Sequence, residues 1–169
     1  MPISPVVFLS YSHDSEEHRQ WVYQLACQLV ENGVDTILDQ WDVQLGSNLI
    51  TFMEKGLSNA DRVLVICTDN YNKKSNVGMG GVGYEKTILT SELFVDQSST
   101  KFVPVIRGVT TQMKTPICLS GRTYIDFTED RNFEDNLKKL LYELYGIPHR
   151  LKPKLGKSPF PPQWRDCRR

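Results

Sequence analysis

Two kinds of apolar run take turns along this chain. Short unbroken runs, such as Val6-Val7-Phe8-Leu9 and Val63-Leu64-Val65-Ile66-Cys67, have the length and β-branched content of strands buried on both faces. Between them lie stretches in which apolar residues recur at helical spacing. Trp21, Val22, Leu25, Ala26, Leu29 and Val30 make one stripe, and Leu137, Leu140, Leu141 and Leu144 make another. The pattern predicts strands from Val6 through Leu9 and over 34–38, 62–67, 101–106 and 123–127, with helices over 16–32, 49–59, 84–94 and 133–145. Gly33 ends the first helix as a left-handed cap, and Ser12 or Asp14 is expected to begin it, Asp14 being preferred. Residues 39–46 and 68–83 read as loops, the second carrying glycines at 78, 80, 81 and 83.

Strand and helix alternating in this way predict an α/β domain: a flavodoxin-like, doubly wound, five-stranded parallel sheet in the order 2-1-3-4-5 with helices on both faces. Pro104 in the fourth strand is easiest to accommodate towards an edge. In such sheets ligands sit outside the carboxyl ends of the strands, which directs attention to Ser10-Tyr11-Ser12-His13 after the first strand. Past Gly146 the composition turns to Pro, Lys and Arg, so the domain is expected over 1–147 and a tail or linker over 148–169.

Composition narrows the chemistry. Twenty basic residues balance twenty acidic ones, which argues against direct binding of nucleic acid or an anionic membrane. No apolar run reaches the roughly 20 residues of a membrane span, and residues 1–5 lack a secretory signal, so the expected location is cytoplasmic. The four cysteines are scattered without Cys-x-x-Cys pairs or companion histidines, which argues against a metal site. Cys27 and Cys67 read as ordinary buried thiols.

Three motifs carry a family resemblance. Val7-Phe8-Leu9-Ser10-Tyr11-Ser12 is similar to the first box of the Toll/interleukin-1 receptor (TIR) superfamily. Leu38-Asp39-Gln40-Trp41-Asp42-Val43 with Gly46 resembles the second box in the form of the SEFIR branch, and Ser58 through Thr68 followed by Tyr71 resembles the SEFIR-like third strand. The resemblance covers residues 6–146 and implies the same flavodoxin-like fold.

Members of this superfamily divide between adaptors that only assemble and enzymes that cleave NAD+ at the nicotinamide–ribose bond. The resemblance implies an NAD glycohydrolase switched on by self-assembly, a bacterial immune effector, with the non-catalytic adaptor as the alternative. It places Glu85, near the start of the helix after the third strand, where the catalytic glutamate of the enzymes stands. It likewise implies substrate contacts from Tyr11, Ser12 and His13 and from the loop carrying Asp39, Trp41 and Gln44. NAD+ would be the substrate, with no prosthetic group; the expected partners are further copies of the domain and a C-terminal sensor domain or partner.

Residue chemistry agrees with that implication. Loss of nicotinamide builds positive charge on the ribose, and one carboxylate aimed at the ring stabilises charge that exists mainly in the transition state. Nicotinamide leaves as a neutral ring, so no general acid is required. Glu85 also reads as an ordinary first-turn acid favoured by the helix dipole, and Asp39 as a turn acid. Gly81 stands where the animal enzymes carry a tryptophan. Kinship with flavodoxins or response regulators is disfavoured: Cys67-Thr68 replaces a phosphoacceptor aspartate, and Ser10-Tyr11-Ser12-His13 offers no glycine-rich phosphate loop.

Overall fold

A computed structural model of the chain describes residues 4–77 and 99–160. Five strands, β1 (Val6–Ser10), β2 (Asp35–Ile37), β3 (Arg62–Cys67), β4 (Phe102–Ile106) and β5 (Ile125–Asp126), form one parallel sheet ordered β2-β1-β3-β4-β5. The helices are α1 (Glu16–Glu31), α2 (Asp39–Asp42), α3 (Leu49–Asn59), α4 (Asp69–Val77) and α5 (Phe133–Leu144). The helix expected over 84–94 lies outside the described residues.

Side chains alternate across the sheet and build two cores. Val7, Leu9, Leu64, Ile66 and Val105 face α1 and α5, where Val22, Leu25, Leu29, Leu137 and Leu140 meet them. On the other face Phe8, Val63, Val65, Cys67 and Ile106 pack with Leu57 of α3 and with Leu119. Positions 63–67 of β3 are therefore wholly buried, which is why that strand is apolar at every residue rather than at every second one.

Pro104 sits inside the sheet and not at its edge, since β4 pairs with both β3 and β5. The ladder explains its tolerance. Lys101 O accepts from Val63 N, and Arg107 N donates to Cys67 O, so odd residues of β4 bond to β3. The missing N–H of Pro104 consequently faces β5, where pairing begins only at Val105. The edge strands β2 and β5 are each shorter than the sequence pattern.

Ser15, not Asp14 or Ser12, caps α1: its side chain accepts from His18 N at 3.0 Å. Asp14 is engaged elsewhere, accepting from Ser12 Oγ and Thr68 Oγ1 at 2.5 Å each. Gly33 does take the left-handed conformation at φ 81°, with Val34 N returning to Leu29 O. Residues 69–77, expected as part of a loop, are helical, and so is the single turn over 39–42. Neither shows an apolar stripe, because both are held by polar bonds. In α4, Asn72 Nδ2 donates to the carbonyls of Met113 and Lys114, and Asp69 accepts from Thr110 N and Oγ1.

Candidate functional site

At the carboxyl end of β1 a cavity of about 380 Å³ opens between α2, α3 and α4. Its floor is the end of β1 and the loop after it, from Phe8 to His13. Leu49, Phe52 and Met53 of α3 supply an apolar wall, and Tyr71, Lys74 and Ser75 of α4 the opposite one; Asp39 closes the side. The walls stand where they do because α3 starts at a capped asparagine, Asn48, whose side chain accepts from Thr51 N, and packs its Gly56 on Phe8.

A polar cluster lies across the mouth. Tyr11 OH donates to Asp39 Oδ1 at 2.8 Å, and His13 Nε2 lies 2.8 Å from Asp39 Oδ2. Gln40 Nε2 donates to the same Tyr11 oxygen at 2.8 Å and to Arg19 O at 3.1 Å. Burial, followed by the hydrogen bond and charge of Asp39, pushes the Tyr11 phenol up to about 12. Deeper in, Tyr71 OH and Ser10 Oγ share a 3.1 Å bond, and burial drives the Tyr71 phenol far above its ordinary range although the Ser10 bond pulls the other way. Both phenols are therefore neutral donors at physiological pH. Ser12 Oγ, Asp14 and Thr68 tie the loop after β1 to the end of β3.

Comparison with known proteins agrees with this architecture. The family model for the TIR domain matches residues 7–141. This chain belongs to the TIR domain family. The crystal structure of a prokaryotic SEFIR domain is 36% identical and superposes with a TM-score of 0.70, over 84% of this chain and 99% of that one. Two others share the fold at lower identity. The TIR domain of the Toll-related receptor TRR-2 from Hydra magnipapillata is 18% identical at a TM-score of 0.58, covering 82% of this chain and 96% of its own. The SEFIR domain of interleukin-17 receptor B is 14% identical at 0.56, covering 85% and 98%. No curated protein matches the chain.

In this TIR domain Tyr11, Ser12, His13 and Asp39 come together at one cavity. Trp41 and Gln44 do not line it. Trp41 stands on the outer side of α2 with its ring edge-on to Tyr23, centroids 5.9 Å apart, and Gln44 is exposed with its N–H bonded to Ser47 Oγ. Glu85 lies outside the described residues. Leu49, Phe52, Met53, Tyr71, Lys74 and Ser75 were not foreseen as site residues. The first three carry the i, i+3, i+4 signal of an amphipathic helix, which reads as core until the sheet order shows that this end of α3 overhangs the β1 loop. Tyr71 was visible only as part of a motif, since the helix bearing it has no stripe. Cys67 beneath the cavity is buried, and burial lifts its thiol to about 12, so it is an inert packing residue. Among the described residues no cluster of three or more His, Cys, Asp or Glu side chains is placed to hold a metal ion, and no helix is long and apolar enough to cross a membrane.

Proposed function

We propose that this TIR domain is an NAD+ glycohydrolase that breaks the nicotinamide–ribose bond when copies of the domain assemble, the effector module of a bacterial immune system whose sensor lies beyond the tail. The observation that carries the reading is the cavity itself. It has the volume of a small-ligand site, roughly 300 to 1,000 Å³, with a largely apolar lining and few convergent polar groups. It also lies at the end of β1 beside β3, the point where strand order reverses and nucleotides bind in sheets of this topology.

In this reading the aromatic and apolar walls exclude water from the nicotinamide ribose, and the neutral hydroxyls of Tyr71, Ser10 and Ser12 hold its polar edge. Glu85, carried by the family resemblance, supplies the carboxylate that stabilises the oxocarbenium-like transition state. The C–N bond breaks with its electron pair leaving on nicotinamide. Water then adds to the ribose carbon and releases a proton, giving ADP-ribose. The test is NAD+ consumption by the full chain, free and artificially clustered. Clustered protein is expected to turn NAD+ over and Glu85→Ala to reduce kcat by about 100-fold or more, the usual loss when a charge-stabilising group is removed. Absence of turnover at every degree of clustering overturns the enzyme.

A second reading, an adaptor that signals by contacts between like domains, is favoured by the 36% identity to a SEFIR domain and by exposed apolar residues on the α2 side, Trp41 and the fully exposed Leu45. Association lost on Trp41→Ala, together with no turnover, would select it.

A further inference from the structure

The turn α2 forms one side of the cavity, yet none of its four residues is buried. Trp41 on Tyr23 is an aromatic contact at its outer side. On the cavity side, what attaches α2 to the domain is hydrogen bonding from Asp39 and Gln40 to Tyr11, His13 and Arg19 O. The Asp39 carboxylate is the hub. Its Oδ1 accepts from Tyr11 OH and, at 2.9 Å, from Gln40 N, while its Oδ2 meets His13 Nε2. Both oxygens are thus occupied by donors of the protein itself, and the polar ends of Tyr11 and His13 are turned to Asp39.

We infer that Asp39 is a positioning residue: one carboxylate, gripping Tyr11 with one oxygen and His13 with the other, latches α2 to the loop after β1 and so sets the shape of the cavity. This deepens the glycohydrolase reading and rests on it for the consequence, which is control of access to the substrate site. The motifs assign Tyr11, His13 and Asp39 as separate ligand contacts; the geometry makes them one internal latch. Because α2 has no core packing to fall back on, losing one such bond shifts its opening equilibrium by roughly three- to tenfold, and losing the hub shifts it by more. Release also frees the segment that carries Trp41 and Leu45, which are already exposed with the latch closed, so opening changes their position and not their exposure.

The test is amide exchange in the full chain by NMR at Trp41, Asp42 and Val43, whose N–H groups close the turn on Leu38 O and Asp39 O. Tyr11→Phe and His13→Ala are expected to speed exchange about threefold each and Asp39→Ala about tenfold or more. The double variant Asp39→Ala/His13→Ala is expected to exchange no faster than Asp39→Ala alone, since the bond of His13 to α2 runs through Asp39 and is already gone, whereas Tyr11 also holds Gln40 Nε2. Unchanged exchange in Asp39→Ala, or effects that multiply in the double variant, overturns the latch. His13 is more than half exposed, its side chain at 55%, so His13→Ala keeps the fold and the test stands if Asp39→Ala does not fold. In clustered protein the same variants are expected to raise KM for NAD+ in the order in which they speed exchange, whereas Glu85→Ala lowers kcat. Absent turnover with accelerated exchange leaves the latch standing and removes the glycohydrolase; turnover with unaltered exchange does the reverse.

Discussion

Gly56 shows how one missing side chain shapes the cavity. A Cβ there would lie 2.5 Å from Cδ2 and 2.6 Å from Cε2 of Phe8, whose ring is buried and lines the site. Gly56→Ala gains about 1 kcal/mol of helix propensity and incurs about 1–3 kcal/mol of overpacking, so we expect a net loss of about 1 kcal/mol in urea unfolding. Phe8→Leu in the same background should recover most of it, and independent, additive effects would show that α3 and β1 do not meet there. The two cavity phenols predict behaviour in alkali. Tyr11 is raised to about 12 and Tyr71 higher, against about 10 in an unfolded chain. Above pH 10 the unfolded state releases protons that the fold retains, so stability is full below about pH 10 and falls as pH rises through 12. Absorbance titration should find at least two of the seven tyrosines still protonated at about pH 11, and Tyr71→Phe should flatten the fall. At this scale the sequence was partly readable. Tyr11, Ser12, His13 and Asp39 were legible because a strand must end somewhere and a motif marks the place. That Asp14 would serve Ser12 and Thr68, leaving the cap to Ser15, was not, since Thr68 is far away in the chain and near only in the sheet.

Elements were legible in proportion to how far apolar packing builds them. The helices α1 and α5 each bury a stripe, and α3 turns its stripe partly to the core and partly to the cavity wall; the periodicity of the stripe locates all three. The turn α2 and the helix α4 are attached largely through Asp39, Asn72 and Asp69, whose partners Tyr11, Met113 and Thr110 come from remote segments, and α4 adds the single ring of Tyr71 to the core, so no local spacing announces them. Pro104 illustrates the same limit: its tolerance depends on which side of β4 is still unpaired. The start of α1 offers a test of this scale. Ser15 supplies the side-chain cap, and Glu16 and Glu17 favour the positive end of the helix dipole. Ser15→Ala is expected to lower unfolding stability by about 1 kcal/mol and Ser15→Asp to retain it. Equal stability of Ser15→Ala and the parent would mean that Asp14 can take over the cap, contrary to its engagement by the Ser12 and Thr68 hydroxyls.

Strand order was the most legible property of the molecule, because alternation of buried strands with amphipathic helices leaves few ways to cover both faces of one parallel sheet. Where the domain ends is a proposal that truncation can decide. Leu144 is buried in the larger core, and Tyr145 packs against it and donates to Asn32 O at 2.7 Å, joining α5 to the end of α1. Gly146 then turns the chain with φ 64°. Beyond it Leu151, Leu155 and Phe160 are 83%, 101% and 69% exposed, so residues 151–160 add little to the folded core. A chain cut after residue 150 is therefore expected to keep its unfolding temperature within roughly 3 °C. A cut after residue 143 removes a buried leucine worth about 2–3 kcal/mol and a hydrogen bond worth about 1 kcal/mol. That loss lowers the unfolding temperature by on the order of 10 °C in calorimetry. A large drop on the shorter deletion would show that the basic, proline-rich segment belongs to the domain rather than leading away from it.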